Sequence, residues 1–336
     1  MKLSVVVCTY NYAHLLPDTL RTLAAQTMTD IELVIVDDGS TDNTENVVEQ
    51  FRPQFPDFRY LKKPHTGPAD SRNAGVYAAR GAHIAFLDAD DLWSPHYVSE
   101  IGMVLSAYPQ ADLVLSEGIT VRSEKGIITE AILNRGLPAL CGPARLPGEI
   151  FDVVQAFSPS GMVFSKEIYK RAGPFDVEIF GWFSEDIDWM FRALKARAFC
   201  VCLKRRLFLY RRHDSNLTNK ASDSFRSWLA IYSRTLNKSW NNPQMEALAR
   251  GVIRSRSLRF LPTCSTSEGR HLLKQAIETL GGDPLISFYY FGTRIGLVSL
   301  LKRLKQSRQF LRRIFRKKLA IDLSSSSAAV FEAVKN

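Results

Sequence analysis

The sequence predicts an α/β protein on a doubly wound, mostly parallel sheet, followed by a mainly helical C-terminal extension. Three observations predict it. Apolar, β-favouring runs at 3–8, 32–37, 58–61, 83–87 and 112–116 alternate with amphipathic segments of helical period. Repeated β-loop-α units of this length pair their strands in parallel and cover the sheet with helices on both faces. Polar and acidic clusters stand directly behind three of the strands, where ligands of such sheets bind.

The elements follow in order. LSVVVC (3–8) is a β-branched strand, and Leu16, Leu20 and Leu23 line one face of a helix reaching about Gln26. ELVIVD (32–37) is a second buried strand, and Thr41 to Phe51 reads as a helix opened by polar residues. FRYL (58–61) is a weaker third strand. Pro68 to Arg80 is a helix stopped by Gly81, HIAFL (83–87) is the fourth strand, and Pro95 starts a helix to about Tyr108. DLVLS (112–116) is the fifth strand. From about 118 to 215 the rhythm changes to short strands, Gly/Pro turns and one helix, EDIDWMFRALKA (185–196), before the strand FCVCL (199–203). Beyond 216 the chain reads as mostly helical, with SSSS (324–327) as a flexible linker before a short tail. These changes divide the chain into 1–117, 118–215 and 216–336.

At 336 residues, with 46% hydrophobic and 11% aromatic content, the chain has room for a large globular domain and an appendage. Its net charge of +10 is unevenly placed. Residues 1–215 carry 23 Lys+Arg against 27 Asp+Glu, a net of −4, whereas 216–336 carry 21 against 7, a net of +14. Partner arguments from basicity therefore belong to the C-terminal third. Within it, 300–318 holds nine Lys/Arg with Leu300, Leu304, Leu311 and Phe315 at roughly helical spacing. That pattern suits either a solvated helix packed on the domain or an in-plane helix on an anionic membrane face. No nucleic-acid motif accompanies it, so no nucleic-acid partner is expected. The five cysteines show neither a CxxC pair nor a Cys/His metal spacing, which fits a reduced cytoplasmic setting. Cys8, inside a strand, reads as a small core residue. The longest apolar stretch, 286–301, is broken by Thr293 and Arg294 and reads as too short and polar for a membrane span, and MKLSVVVCTYN reads as no signal peptide.

The chemistry sits in five motifs. DDGSTDNT (37–44) is a good strand-to-helix turn, with Ser40 or Thr41 as a cap, but a turn does not require two adjacent carboxylates. One of them could accept hydrogen bonds from a base or ribose. HTGPADSRNAG (65–75) leads into a helix carrying Arg72 and Asn73; Arg72 is either solvated or turned to the crevice to pair with phosphate or an acidic neighbour. DADD (88–91) places three carboxylates behind a strand with no Lys or Arg within five residues. A hard divalent ion held by one or two carboxylates plus substrate phosphates accounts for that crowding: one Asp reaches the ribose, the next the ion. Asp91 then begins the turn into the following helix. GWFSEDIDWM (181–190) puts Glu185, Asp186 and Asp188 in a first helical turn, where the macrodipole favours acids, beside Trp182, Phe183 and Trp189. Aromatic surroundings fit sugar stacking or a partly dry pocket in which a carboxylate acts as general base. YRRHDSNLT (210–218) flanks His213 with charge rather than with an apolar stripe.

Taken together, SVVVCTYNYAHLL, DDGSTDNT, SRNAG, FLDADD, SED and YRRHDSNLT occur in the order and rough spacing of the inverting family 2 glycosyltransferases. The chain resembles that family over about residues 1–215. The resemblance implies a GT-A fold and transfer of a sugar from a nucleoside diphosphate donor, usually a UDP-sugar, with Mg²⁺ or Mn²⁺. It implies that Thr9, Tyr10 and Asn11 lie beside the nucleotide, that Asp38 contacts the base with Asp37 in support, and that Arg72 faces base and diphosphate. Asp88 would touch the ribose, Asp90 the metal, and His213 the metal or diphosphate. Asp186 matches the catalytic base, and Trp182 and Glu185 are candidate acceptor-binding residues. Ser71 replaces the more frequent Ala, and no Q-x-x-R-W motif is present, which points to single additions rather than processive synthesis. Saccharide or lipid-linked acceptors in cell-surface polysaccharide or glycolipid assembly are implied, which favours the membrane reading of 300–318 on the inner face.

Two other readings compete. A sugar-nucleotide nucleotidyltransferase shares the α/β layout and metal-binding aspartates, but needs a Gly-rich basic loop where CTYNYAHLL stands. A binding module without turnover is opposed by the intact D-x-D, E-D and His213.

Overall fold

A computed structural model describes residues 3–124, 127–132, 136–179, 184–216, 221–260 and 267–294. The chain divides into two compact units, Met1–Ala249 and Arg250–Asn336.

The first unit opens with β1 (Leu3–Thr9), whose Val5, Val6 and Val7 are fully buried, as a strand covered on both faces requires. Helix α1 (Leu16–Ala24) buries Leu16, Leu20 and Leu23, and β2 (Ile31–Asp37) is buried throughout. Helix α2 (Thr44–Phe51) starts three residues later than the sequence predicts, because Asp42 Oδ1 accepts the Thr44 N–H at 3.1 Å and residues 40–42 serve the site. Strand β3 (Phe58–Lys62) is the half-covered edge, and α3 (Pro68–Ala78) begins on a proline behind Gly67 at φ +98°. Then come β4 (His83–Phe86), the short β5 (Leu92–Trp93), α4 (Tyr97–Ala107), β6 (Leu113–Glu124), β7 (Ile127–Ile132) and β8 (Cys141–Pro143). Helix α5 (Pro147–Ala156), β9 (Met162–Ser165), helices α6 (Lys166–Ala172) and α7 (Glu185–Lys195), β10 (Phe199–Arg212) and α8 (Ala221–Arg234) follow, and α9 (Pro243–Phe260) begins in this unit and continues into the second. Among its described residues, the region 118–215 thus holds three α-helices rather than the one predicted. Short helices with Gly, Pro and aromatic residues give too few turns for periodicity to register.

The sheet order is β3-β2-β1-β4-β9-β6-β10-β5, with β7 paired to β6 and β8 to β10. Strands β3, β2, β1 and β4 pair in parallel, and β6 pairs in parallel with β10. Strand β9 is inserted antiparallel between β4 and β6, so the first and second halves of the chain share one sheet. The register sets Thr9 opposite Asp37 and Asp37 opposite Lys62, so β1, β2 and β3 end at one edge. The fold is the expected mixed α/β with a mostly parallel sheet. Aromatic rings fill one side of the sheet: Phe175 stacks on Trp189 at 5.2 Å, and Phe164 lies 4.9 Å from Trp189.

In the second unit, α10 (Ser267–Thr279) buries Leu272, Leu273 and Ala276, and α11 (Pro284–Arg294) buries Ile286 and Tyr289. Arg254 pairs with Asp283 at 3.0 Å. Phe288 and Phe291 on α11 face solvent. Among the described residues no helix is long and apolar enough to cross a membrane. The basic segment 300–318 and the serine run lie outside the described residues.

Candidate active site

The ends of β1 and β2 are woven together by short-range polar contacts. Asn11, at φ +56°, accepts the Thr41 N–H at 2.8 Å and gives its own N–H to Ser40 Oγ at 2.9 Å. Asp37 is wholly buried and used internally: Oδ1 accepts the Ser40 N–H at 2.7 Å and Oδ2 the Tyr60 hydroxyl at 2.6 Å. Asp38 receives Lys63 Nζ at 2.5 Å, the Thr66 and Gly67 N–H groups at 3.1 and 2.8 Å, and His65 Nδ1 at 2.8 Å. Burial pushes the Asp38 carboxyl up, but these donors, Lys63 first, hold it below its ordinary value. Tyr10, more exposed, stacks on His65 with centroids 3.7 Å apart. Thr9 Oγ1 is buried and has no hydrogen-bond partner among the described residues, a group that a ligand could satisfy. Burial pushes the neighbouring Cys8 thiol up to about 12, which fits a core residue rather than a nucleophile.

Helix α3 supplies the middle of the site. Arg72 is 7% exposed, with Nη2 3.0 Å from Asp88 Oδ1 and Nη1 paired to Glu185 Oε1. Its neighbour Asn73 faces elsewhere, accepting the Phe175 N–H at 2.8 Å and the Tyr169 hydroxyl at 2.7 Å. Asp186, half-buried in the first turn of α7, lies within the field of Arg72. Burial raises the Asp186 carboxyl above its ordinary value, with Arg72 opposing. Asp88 is likewise raised, by burial first, while Arg72 pulls it down and Asp90 pushes it up. Asp188, the third acid of that turn, belongs to the packing: it accepts Arg192 Nε at 2.8 Å.

The third corner joins the D-x-D loop to the end of β10. Asp90 Oδ2 meets His213 Nε2 at 3.0 Å and Asn216 Nδ2 at 3.2 Å. Ser215 Oγ lies 2.7 Å from His213 Nδ1, and the His213 N–H donates to Asn216 Oδ1 at 2.6 Å. Arg211 binds the Asp90 carbonyl through Nε and reaches Leu15 O and Thr19 Oγ1 on the α1 side at 3.0 and 3.1 Å. Asp91 does not open the next helix as predicted, since α4 is entered through His96. It is fully buried, accepting the Ser160 hydroxyl at 2.6 Å and the Arg211 N–H at 3.1 Å. Burial, with Asp90 and Asp88 beside it, raises its carboxyl well above the ordinary value.

The structure joins Arg72 to Asp88 and Glu185 and joins Asp90 to His213, sets Asp37 and Asp38 at the end of β2, and has Asp186 accepting the Ile187 N–H at 2.8 Å in the first turn of α7. Trp182 lies outside the described residues. Lys63, His65, Ser160, Arg211 and Asn216 are additional partners. Arg211 and Asn216 stand in the quoted YRRHDSNLT, whereas Ser160 has no local signal beyond a Ser-Pro turn. Among the described residues no group of three or more His, Cys, Asp or Glu forms a metal cage. The donor set still fits a hard divalent ion: one carboxylate and one imidazole converge, and such ions take much of their shell from substrate phosphates and water.

The mostly parallel sheet with its polar strand ends has the GT-A-like architecture seen in solved glycosyltransferases, and the family match gives the class. Residues 4–172 match the family described as Glycosyl transferase family 2, and the chain belongs to it. Among its relatives is an uncharacterized glycosyltransferase of Nostoc, 32% identical over 64% of this chain and 66% of that protein. The fold resembles Staphylococcus aureus TarS 1–349 in complex with UDP-GlcNAc, with TM-score 0.64, 18% identity and 92% of each chain covered. It also resembles the mannosyltransferase PcManGT of Pyrobaculum calidifontis in complex with GDP-Man and Mn²⁺, with TM-score 0.57, 16% identity and 92% and 84% covered. At these identities the two structures speak for the fold.

Proposed function

We propose that this protein moves one sugar from a nucleoside diphosphate donor, a UDP-sugar, to a hydroxyl acceptor with inversion of the anomeric configuration. The observation that carries this reading is the Arg72 guanidinium, which joins Asp88 of the D-x-D loop to Glu185, the residue directly before Asp186 in the first turn of α7. Asp186 is the candidate base in this reading, since it follows Glu185 in the same helical turn. The complexes of TarS with UDP-GlcNAc and of the mannosyltransferase with GDP-Man support a nucleotide-sugar donor.

In this reading residues 1–117 form the donor half, 118–215 the acceptor half, and 216–336 a basic helical region. Thr9, Tyr10 and Asn11 border the nucleotide, Asp38 and the Lys63–Gly67 loop the base, and Asp88 the ribose. Asp186 takes the proton of the acceptor hydroxyl. The acceptor oxygen then bonds to the anomeric carbon as the bond to the diphosphate breaks and its electron pair leaves with the nucleotide, in line, which inverts the centre. Asp90 and His213 would hold Mg²⁺ or Mn²⁺; the mannosyltransferase complex with Mn²⁺ supports a divalent ion. The ion's chemistry is to neutralise charge growing on the leaving group. Trp182 would stack on the acceptor, a saccharide or lipid-linked saccharide of polysaccharide or glycolipid assembly. The nine cations of 300–318 would bring the protein to an anionic inner membrane face.

A thermal-shift panel of nucleotide sugars with and without Mn²⁺, followed by nucleotide-release assays, tests the reading. Stabilisation by a UDP-sugar with metal is expected. No shift and no nucleotide release with any donor would overturn it.

A further inference from the structure

Glu185 opens α7 and is 4% exposed. An acid that only complements a helix dipole needs no such burial, since the amides it faces stay near solvent. Its partner is Arg72 Nη1, while Nη2 of the same guanidinium bonds Asp88 Oδ1 at 3.0 Å. Two carboxylates from distant elements thus share one buried fork. The Arg72 Cζ atom lies 5.7 Å from the Phe86 ring centroid, an apolar wall that confines the guanidinium. A planar fork can serve two such partners at once; an ammonium cannot do so with fixed geometry. The first turn of α7 also lacks a side-chain N-cap, although Asp186 Oδ1 accepts the Ile187 N–H at 2.8 Å. Ser184, immediately before Glu185, sits at φ +66° and makes no side-chain cap hydrogen bond. A tertiary contact therefore helps set where that turn lies, and the Arg72 pair supplies one that also binds Asp88.

We propose that Glu185 is a positioning residue rather than an acceptor contact. Through Arg72 it ties the first turn of α7 to Asp88, so that the clasp sets the position of Asp186 relative to the donor. The inference rests on the assignment of Asp186 as base and adds the coupling that places it. Removing Glu185 leaves Arg72 with one carboxylate and frees the turn; the chemical step then suffers, because displacement of a reacting group by about 1 Å can cost on the order of 100-fold.

Glu185→Gln, Arg72→Lys and the double variant test this together with the wild-type protein. Each single variant should lower kcat by about 100-fold, and Glu185→Gln, which touches neither substrate, should leave the KM values of donor and acceptor within about threefold of wild type. The double variant should be no worse than either single one, because both break the same clasp. A second readout does not depend on turnover. The Ile187 and Asp188 N–H groups both bond Ser184 O, at 3.1 and 3.2 Å, and their hydrogen exchange should quicken in both variants more than that of the β1 and β2 amides, which report any loss of global stability. A raised acceptor KM with unchanged kcat, additive losses, or unaltered exchange at these amides would each overturn the proposal. If the wild-type protein turns over no donor, the functional reading fails, and the exchange experiment still decides whether the clasp holds α7.

Discussion

His213 Nε2 lies 3.0 Å from Asp90 Oδ2, joining positions 123 residues apart at one corner of the crevice. Ser215 Oγ, 2.7 Å from the other ring nitrogen, orients the imidazole, and Asn216 reaches the same carboxylate oxygen. A histidine held this way presents one nitrogen beside a carboxylate, which is how imidazole ligands are prepared for an ion.

His213→Ala should raise the Mn²⁺ concentration needed for half-maximal activity at least about tenfold. Asp90→Asn should abolish activity at all metal concentrations used. Metal titration of nucleotide release checks both. Equal metal dependence in His213→Ala and wild type would remove the pair from the metal site.

Asp186→Asn should eliminate transfer while donor binding, read by thermal shift, stays close to wild type. The pH profile carries a further sign. Burial raises the Asp186 carboxyl above 3.8, and a general base works only when ionised. The acidic limb of kcat/KM should therefore fall at a pH above the ordinary carboxylate value. A limb at or below that value would show a base other than Asp186.

Glu32 is completely buried at the opposite edge, bonded by the Ser4 hydroxyl, the Arg80 N–H and guanidinium, and paired with Arg59 at 3.3 Å. Burial pushes its carboxyl up, but Ser4 and Arg80 hold it below 4.5. A depressed native value stabilises the fold above the unfolded value, and the contribution is lost as pH falls below it. Glu32→Gln should cost about 2–3 kcal/mol at neutral pH, reduced from a fully buried pair because both arginines are partly solvated. The gap between variant and wild type in urea unfolding should narrow below about pH 4.

Gly75, the last residue of SRNAG, marks a close approach of α3 to the sheet. A Cβ there would fall inside contact distance of Val6 Cγ1 and 3.3 Å from Val36 Cγ2. Gly75→Ala gains about 1 kcal/mol of helix propensity yet should destabilise by about 1–3 kcal/mol through overpacking. A lower urea midpoint at unchanged slope would display it. This glycine serves packing, while Arg72 three residues earlier serves the site.

The strands that deliver the site were legible in the sequence because their signals are local. Apolar runs such as LSVVVC, ELVIVD and HIAFL need no distant partner to be recognised, and Asp, Gly and Asn behind them mark the turns. The grouping of candidate residues at the strand ends followed from that layout alone. What each carboxylate does there was not legible. DDGS and DADD look alike as acidic turns, yet Asp37 and Asp91 are fully buried on hydroxyl and backbone donors while Asp88 pairs with Arg72 and Asp90 with His213.

By itself, then, the sequence determined the parallel β-α framework and the edge of the sheet where chemistry would gather, since both arise from contacts within a few residues. Only the tertiary structure decided that β9 runs antiparallel between β4 and β6, and that Ser160 and Arg211 hold Asp91 from positions 69 and 120 residues away. It likewise decided that Arg72 joins Asp88 to Glu185. A buried charge must find its partner wherever the folded chain supplies one, and that choice is made by long-range packing rather than by spacing along the chain.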